Sequence, residues 1–295
     1  MRKTVTFSIV TPSFNQADFL ERTMNSVLGQ EGNFKIEYIV ADGGSTDRSA
    51  QIMKDYADRV KKGTYPLKCK GAKVIWWSRK DKGQSDAINK GWRKVTGDYV
   101  AYLNSDDLYT PGALEEARLA FEENPQADMV YSNWVDIDEN DKVIEKHEVI
   151  PFDLDFEINT GNLIPQPTVF IKKHVLDEVG LLNPEYHYAM DYDLWVRIGQ
   201  KFNILYIDAW WAAFRLHDSS KTVSLADKFW KEERAISRKY GGKFFSRLYF
   251  SHLRRNKPYI FEPIAKFYRA GRMVKHRRYG LFASKVRANL ARLVK

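Results

Sequence analysis

Short apolar runs punctuate the first half of the chain at residues 7–10, 38–41, 74–77, 99–103 and 129–131, each rich in β-branched or aromatic side chains. Between them the apolar positions switch to a spacing of three and four. Phe19, Leu20, Met24, Val27 and Leu28 fall on one face of a helix that Asn15 is placed to cap. Ile52, Met53, Tyr56 and Val60 do the same behind a cap drawn from Ser45, Thr46 and Asp47. Strand runs alternating with helical patterns predict an α/β domain whose mostly parallel central sheet is flanked by helices. Residues 61–73, rich in Lys and Gly, read as a surface loop, and 132–225 are less regular, with a helical pattern over 192–199.

With 295 residues, 44% of them hydrophobic and 14% aromatic, the chain can bury a large core, which excludes a disordered protein and suits one large domain plus an appendage. Cys69 is the single cysteine, so no intramolecular disulfide can form and a reducing, cytoplasmic compartment is expected. The apolar run at 4–10 ends at Thr11 and Pro12 without a small-residue cleavage site, and reads as a first buried strand rather than a signal peptide. No stretch reaches the roughly 18–20 consecutive apolar residues of a membrane-spanning helix.

The net charge of +9 is unevenly spread. Residues 241–295 hold 15 Lys and Arg against the single acid Glu262, a net +14, while 1–240 carry 32 basic and 37 acidic residues, a net −5. A mildly acidic body therefore carries a distinct basic tail. In that tail aromatic residues interleave with basic ones, a composition suited to an anionic membrane leaflet and equally to a helical pair packed on the body. Nucleic acid is favoured by the charge alone, but no recognition motif accompanies it, so no specific nucleic-acid partner is expected.

Ligands of open α/β sheets bind beyond the carboxyl ends of the strands. Those positions hold Asp42, Asp81 and the adjacent pair Asp106 and Asp107. Singly, each reads as a turn former or helix cap. Gathered on one edge they would repel one another unless a cation sat among them, and carboxylates without cysteine favour Mg²⁺ or Mn²⁺ over zinc.

The strings IVTPSFN (9–15), DGGSTD (42–47), DKGQSDAINKG (81–91), GDYVAYLNSDD (97–107), MDYDLW (190–195) and RLHDSS (215–220) resemble, in order, those of family 2 glycosyltransferases of the GT-A fold. The likeness covers about residues 5–235. It implies an inverting transferase that moves a sugar from a nucleotide-diphosphate donor to a hydroxyl of a glycan or lipid-linked acceptor, as in cell-surface polysaccharide synthesis. By that resemblance Thr11, Pro12, Phe14 and Asn15 lie against the donor's base and ribose. Asp42 and Asp81 hydrogen-bond the base, and Asp106 the ribose. Asp107 ligates Mn²⁺ or Mg²⁺, with His217 as a further ligand, and Asp191 is the base that takes the acceptor's proton. Gln166, in a segment beside the acceptor in similar enzymes, is the acceptor-side candidate. Two positions depart from the family pattern. Gly43 follows Asp42 where many relatives have a second acid, and Met190 stands where relatives often carry Glu. Uridine is the first choice of base, with thymidine and guanosine behind it.

The expected division is a transferase domain at 1–240, its nucleotide-binding part at 1–110 and its acceptor and catalytic part at 111–240, followed by a helical extension at 241–295. The protein is expected in the cytoplasm, peripheral at the inner face of the membrane through that extension. Two rival readings are weighed. A nicotinamide-dependent oxidoreductase fits the α/β pattern but lacks a glycine-rich loop after the first strand, where residues 11–16 are TPSFNQ. A nucleotide-sugar or carbohydrate binding protein without catalysis would keep the same motifs, and donor hydrolysis with Mn²⁺ separates it from an enzyme. Trp76, Trp77, Trp210 and Trp211 are strand aromatics better suited to the core than to stacking on sugars.

Overall fold

The computed structural model describes residues 4–217 and 226–256. The chain divides into two compact units, 1–242 and 243–295. In the first, a nine-stranded sheet runs in the order β3-β2-β1-β4-β8-β6-β9-β5, with β7 paired to β6. Its strands are β1 Val5–Ser13, β2 Phe34–Asp42, β3 Ala72–Ser78, β4 Tyr99–Tyr102, β5 Leu108–Tyr109, β6 Met129–Ile137, β7 Val143–His147, β8 Phe170–Lys172 and β9 Ile204–Arg215. β1, β2, β3 and β4 are mutually parallel, and β6 is parallel to β9. β8 lies reversed between β4 and β6, so those two share one direction. The mostly parallel α/β sheet expected from the apolar runs is therefore present, with β5, β7 and β8 reversed.

Both sheet faces are covered. On one, α1 (Ala17–Leu28), α2 (Ser49–Lys61) and α4 (Ala113–Glu123) place Leu20, Met24, Met53 and Phe121 against Phe7, Ile9 and Phe170. On the other, α3 (Gln84–Trp92), α6 (Lys173–Val179) and α7 (Met190–Gly199) place Ile88, Leu176, Leu194 and Trp195 against Val10, Ile39 and Tyr102. Gly91 lets α3 approach β1: a Cβ there would come within 2.5 Å of the Val10 Cγ1. The remaining helices of the described residues are α5 (Leu154–Thr160), α8 (Ala226–Lys239) and, in the second unit, α9 (Arg247–Asn256). The part of the extension beyond residue 256 lies outside the described residues.

One local expectation is corrected. Asn15 does not cap α1; it adopts a left-handed conformation with φ 52, and the N-cap position falls one residue later on Gln16, which makes no side-chain cap. Asn15 instead accepts a hydrogen bond from the Thr46 amide at 2.8 Å, and Asp47 accepts the Ala17 N–H at 2.9 Å. The side chains after β1 and β2 thus tie the two loops to one another. Trp211 is fully buried in the core, as expected of a strand aromatic.

Candidate functional site

The carboxyl ends of β1, β2 and β3 finish side by side: Ser13 pairs with Asp42, and Asp42 with Ser78. Asp42 is buried, and its carboxylate accepts from the amides of Gly44 and Ser45 and from the hydroxyls of Ser45 and Ser78, at 2.5–3.1 Å. Asp81 follows β3 and accepts the Gly83 N–H at 2.8 Å. Its Oδ2 would lie 2.8 Å from a Cβ on Gly43. Glycine after Asp42, the first departure from the family pattern, therefore leaves the space that the Asp81 carboxylate fills. Thr11 and Pro12 are buried at the end of β1, with the Thr11 hydroxyl accepting from Tyr38 at 3.0 Å. Phe14, by contrast, is 60% exposed in the loop between β1 and α1.

A second group forms beyond β4. Asp107 is buried; its Oδ1 accepts the Arg215 N–H at 3.0 Å and its Oδ2 the Asn104 amide at 3.2 Å. Burial and the neighbouring Asp106 charge push the Asp107 carboxyl well above the usual range, against the pull of those bonds and of the Arg215 charge. The His217 Nε2 lies 3.0 Å from the Asp106 Oδ2, and the imidazole packs on the Phe19 ring. His217 is thus placed at the acidic pair through Asp106. Arg215 is fully buried at the end of β9: it donates to the carbonyls of Asp106 and Asp138 and forms an ion pair with Asp141. Its guanidinium ties the loop after β4 to the turn after β6.

Asp191 lies in the first turn of α7. Its carboxylate accepts from the Asn162 side chain at 2.8 Å and from the Tyr192 amide at 2.9 Å. Burial pushes its carboxyl from the ordinary 3.8 up to about 6, against those two bonds. Asp107 is bonded by Asn104, which accepts from Gln84 at the start of α3, and the next residue, Ser85, donates to the Met190 Sδ beside Asp191, so hydrogen bonds tie the elements of the two carboxylates together. Gln166 joins the same group, donating to the Tyr102 carbonyl at 2.7 Å. Asn104 accepts from Gln84 at 2.7 Å, linking the start of α3 to the β4 loop. The sequence reading missed Asn104, Gln84, Asn162 and Tyr102. Asn104 and Gln84 stand inside quoted motifs and could have been named; Asn162 carries no signal of its own.

Among the described residues no group of three or more His, Cys, Asp or Glu is placed to hold a metal ion. Asp106, Asp107 and His217 offer hard oxygen and imidazole donors of the kind that hold Mg²⁺ or Mn²⁺ when phosphate oxygens and water complete the shell.

A family model described as glycosyl transferase family 2 matches residues 8–180. An uncharacterised glycosyltransferase of Rickettsia typhi is 25% identical over 227 residues, 73% of this chain and 65% of its own length, just under two thirds. A PGL/p-HBAD biosynthesis glycosyltransferase of Mycobacterium bovis is 28% identical over 65% of this chain and 68% of its own. Among solved structures, S. aureus TarS 1–349 in complex with UDP-GlcNAc matches with a TM-score of 0.62 and 19% identity, over 85% of this chain and 74% of that one. At that identity the likeness establishes the fold, the GT-A arrangement expected from the motifs.

Proposed function

The chain belongs to glycosyl transferase family 2, and from that premise we propose that it transfers a sugar from a nucleotide-diphosphate donor to an acceptor hydroxyl with inversion. The observation that supports this reading is the hydrogen-bonded path from Asp107 through Asn104 to Gln84, whose neighbour Ser85 bonds Met190 next to Asp191, consistent with an acidic pair for the diphosphate and a base for the acceptor at one edge of the sheet. Asp191 takes the acceptor's proton as that oxygen attacks the anomeric carbon from the face opposite the leaving diphosphate. A carboxyl raised to about 6 is mostly ionised at neutral pH yet retains more proton affinity than an ordinary aspartate, which suits a general base. Asn162 and the Tyr192 amide orient it.

Phe14 and Asn15 flank the base and ribose, with Thr11 and Pro12 as their floor and Asp81 and Asp42 toward the base edge. Uridine is the preferred base, and the solved complexes of TarS with UDP-GlcNAc and UDP support that choice. Asp106, Asp107 and His217 would hold Mn²⁺ or Mg²⁺, whose charge would neutralise the departing diphosphate. Gln166, fixed beside Tyr102, belongs to the acceptor side. The acceptor is a glycan or lipid-linked hydroxyl at an anionic membrane surface. Support for that surface comes from the basic tail and from Phe244 and Phe245, exposed beside Lys243 and Arg247. No helix among the described residues is long and apolar enough to cross a membrane.

The test is UDP release from a panel of UDP-sugars with Mn²⁺, Mg²⁺ or EDTA. Metal-dependent release that Asp107→Ala abolishes and Asp191→Asn lowers steeply, with UDP binding retained in the latter, is expected. Normal turnover in Asp191→Asn would remove that residue as the base. Binding to anionic vesicles at low salt, released by high salt, is expected of the full chain, and its absence would end the membrane reading.

A further inference from the structure

The N-cap of α7 is Ala189, which has no side chain able to accept a hydrogen bond. A helix that starts on alanine leaves its N-terminal donors without the local acceptor that Ser, Thr, Asp or Asn would bring. The deficit is met from elsewhere. Glu232, on α8 and 43 residues further along the chain, accepts three consecutive backbone N–H groups, from His187 at 3.0 Å, Tyr188 at 2.7 Å and Ala189 at 2.9 Å. Its neighbour Glu233 accepts the Asn162 N–H at 3.3 Å, and the Asn162 side chain is one of the two donors to Asp191. One turn of α8 therefore fixes both supports of the candidate base: the turn that leads into its helix and the loop residue that orients its carboxylate.

We propose that Glu232 is a positioning residue for Asp191, setting the orientation and charge surroundings of that carboxylate through the backbone turn at 187–189. The inference rests on the reading of Asp191 as the base. A simple structural cap would be cheaper as a serine or aspartate at position 189. A glutamate from α8 brings a full negative charge as well, and that charge counts among the causes that raise the Asp191 carboxyl. Among the described residues, α5 brings Glu157, a buried carboxyl itself pushed up to about 8 chiefly by burial and in part by the Asp191 charge, and β4 brings Tyr102; Glu233 on α8 reaches Asn162, which bonds Asp191. Asp193 on α7 is engaged elsewhere, with Arg197, Lys239 and Tyr240. α6 meets the far end of α7, where Arg197 donates to the carbonyls of Val179, Gly180 and Leu181, and its Lys173 is paired with Asp177.

Two variants separate the parts of this role. Glu232→Gln keeps an acceptor and removes the charge; Glu232→Ala removes both. Three measurements on the full chain are made: the pH titration of the Asp191 carboxyl carbon by NMR, amide hydrogen exchange across 186–194, and kcat and KM on whichever UDP-sugar of a panel the wild type consumes. In Glu232→Gln the Asp191 midpoint should move to lower pH, with exchange near that of the wild type. In Glu232→Ala exchange at 187–190 should rise, and kcat should fall by roughly 10- to 100-fold with donor KM little changed, the loss expected of a misplaced catalytic group. Wild-type midpoints and exchange in both variants would overturn the proposal. So would an unchanged kcat in Glu232→Ala while Asp191→Asn is inactive. Full turnover in Asp191→Asn would instead overturn the assignment of the base, and the titration and exchange measurements would still decide whether Glu232 holds the turn.

Discussion

Replacing Asp191 with asparagine should stabilise the protein at neutral pH while stopping its chemistry. The folded protein holds this carboxyl near pH 6 against an ordinary 3.8. A displacement of this size corresponds to about 3 kcal/mol of penalty for carrying the charge in the folded state. The sign follows from the direction. A carboxyl raised on folding is neutral in both states below pH ~4, where it costs nothing. Between pH ~4 and ~6 the unfolded chain ionises first, so folded stability falls, and above pH ~6 the penalty is complete. Asparagine is neutral throughout and escapes it. In exchange, its amide nitrogen must face one of two donors, Asn162 or the Tyr192 N–H, which costs about 1 kcal/mol. Asp191→Asn should therefore be slightly less stable than the wild type near pH 4 and more stable by ~2 kcal/mol at pH 7.5. Urea unfolding of both proteins from pH 4.5 to 8 measures the difference, to which Glu157 adds because the Asp191 charge also raises its carboxyl and is lost in the variant. A stability difference that does not change with pH would refute the burial account of Asp191. A gain in stability joined to lost turnover is the behaviour of a group kept for function against the interest of the fold.

Two further substitutions probe the frame of the site. Arg215→Lys keeps the charge but loses the planar fork that reaches the carbonyls of Asp106 and Asp138 and the Asp141 carboxylate together, and should destabilise by about 3 kcal/mol in urea unfolding. It should also weaken UDP binding with Mn²⁺ in calorimetry; unchanged binding would mean that the Asp106 loop keeps its shape without the fork. Gly91→Ala forces a Cβ to within 2.5 Å of Val10, and should cost about 1–3 kcal/mol with kcat little altered. A wild-type melting temperature there would show that α3 shifts freely on β1.

The elements that could be read from the chain are those whose signal is local. β1, β2, β3, β4 and β6 each contain an apolar run long enough to be seen, and α1 and α2 carry their buried faces at helical spacing. β5, with two residues, and β8, with three, are strands only because long neighbours pair with them, so nothing within them marks the reversal at β8. Asn15 misled for a related reason. Its side chain had two sets of donors within reach, those of its own helix and those of the loop after β2, and the loop won because a residue at φ 52 directs its amide toward Thr46. Glu232 could not be found from sequence at all, since a cap 43 residues from the helix it serves follows no spacing rule.

The strand-end acids also separate more sharply in space than along the chain. Along the chain Asp42, Asp81, Asp106 and Asp107 read as one cluster of strand-end acids that would repel without a cation. The structure deals with them as two groups. Asp42 is balanced by four donors of its own loops, and Asp81 by the Gly83 amide, so the first group needs no ion to be stable. Asp107 has only an amide of Arg215 and the side chain of Asn104, and Asp106 has His217. Burial first, and the adjacent Asp106 charge second, raise the Asp107 carboxyl against those few donors, and a neighbouring positive charge would oppose both. The case for a divalent ion therefore rests on the group beyond β4 alone. It follows that removing the charge at Asp42 should disturb the loops around the base, whereas removing it at Asp107 should be the change that abolishes the metal dependence.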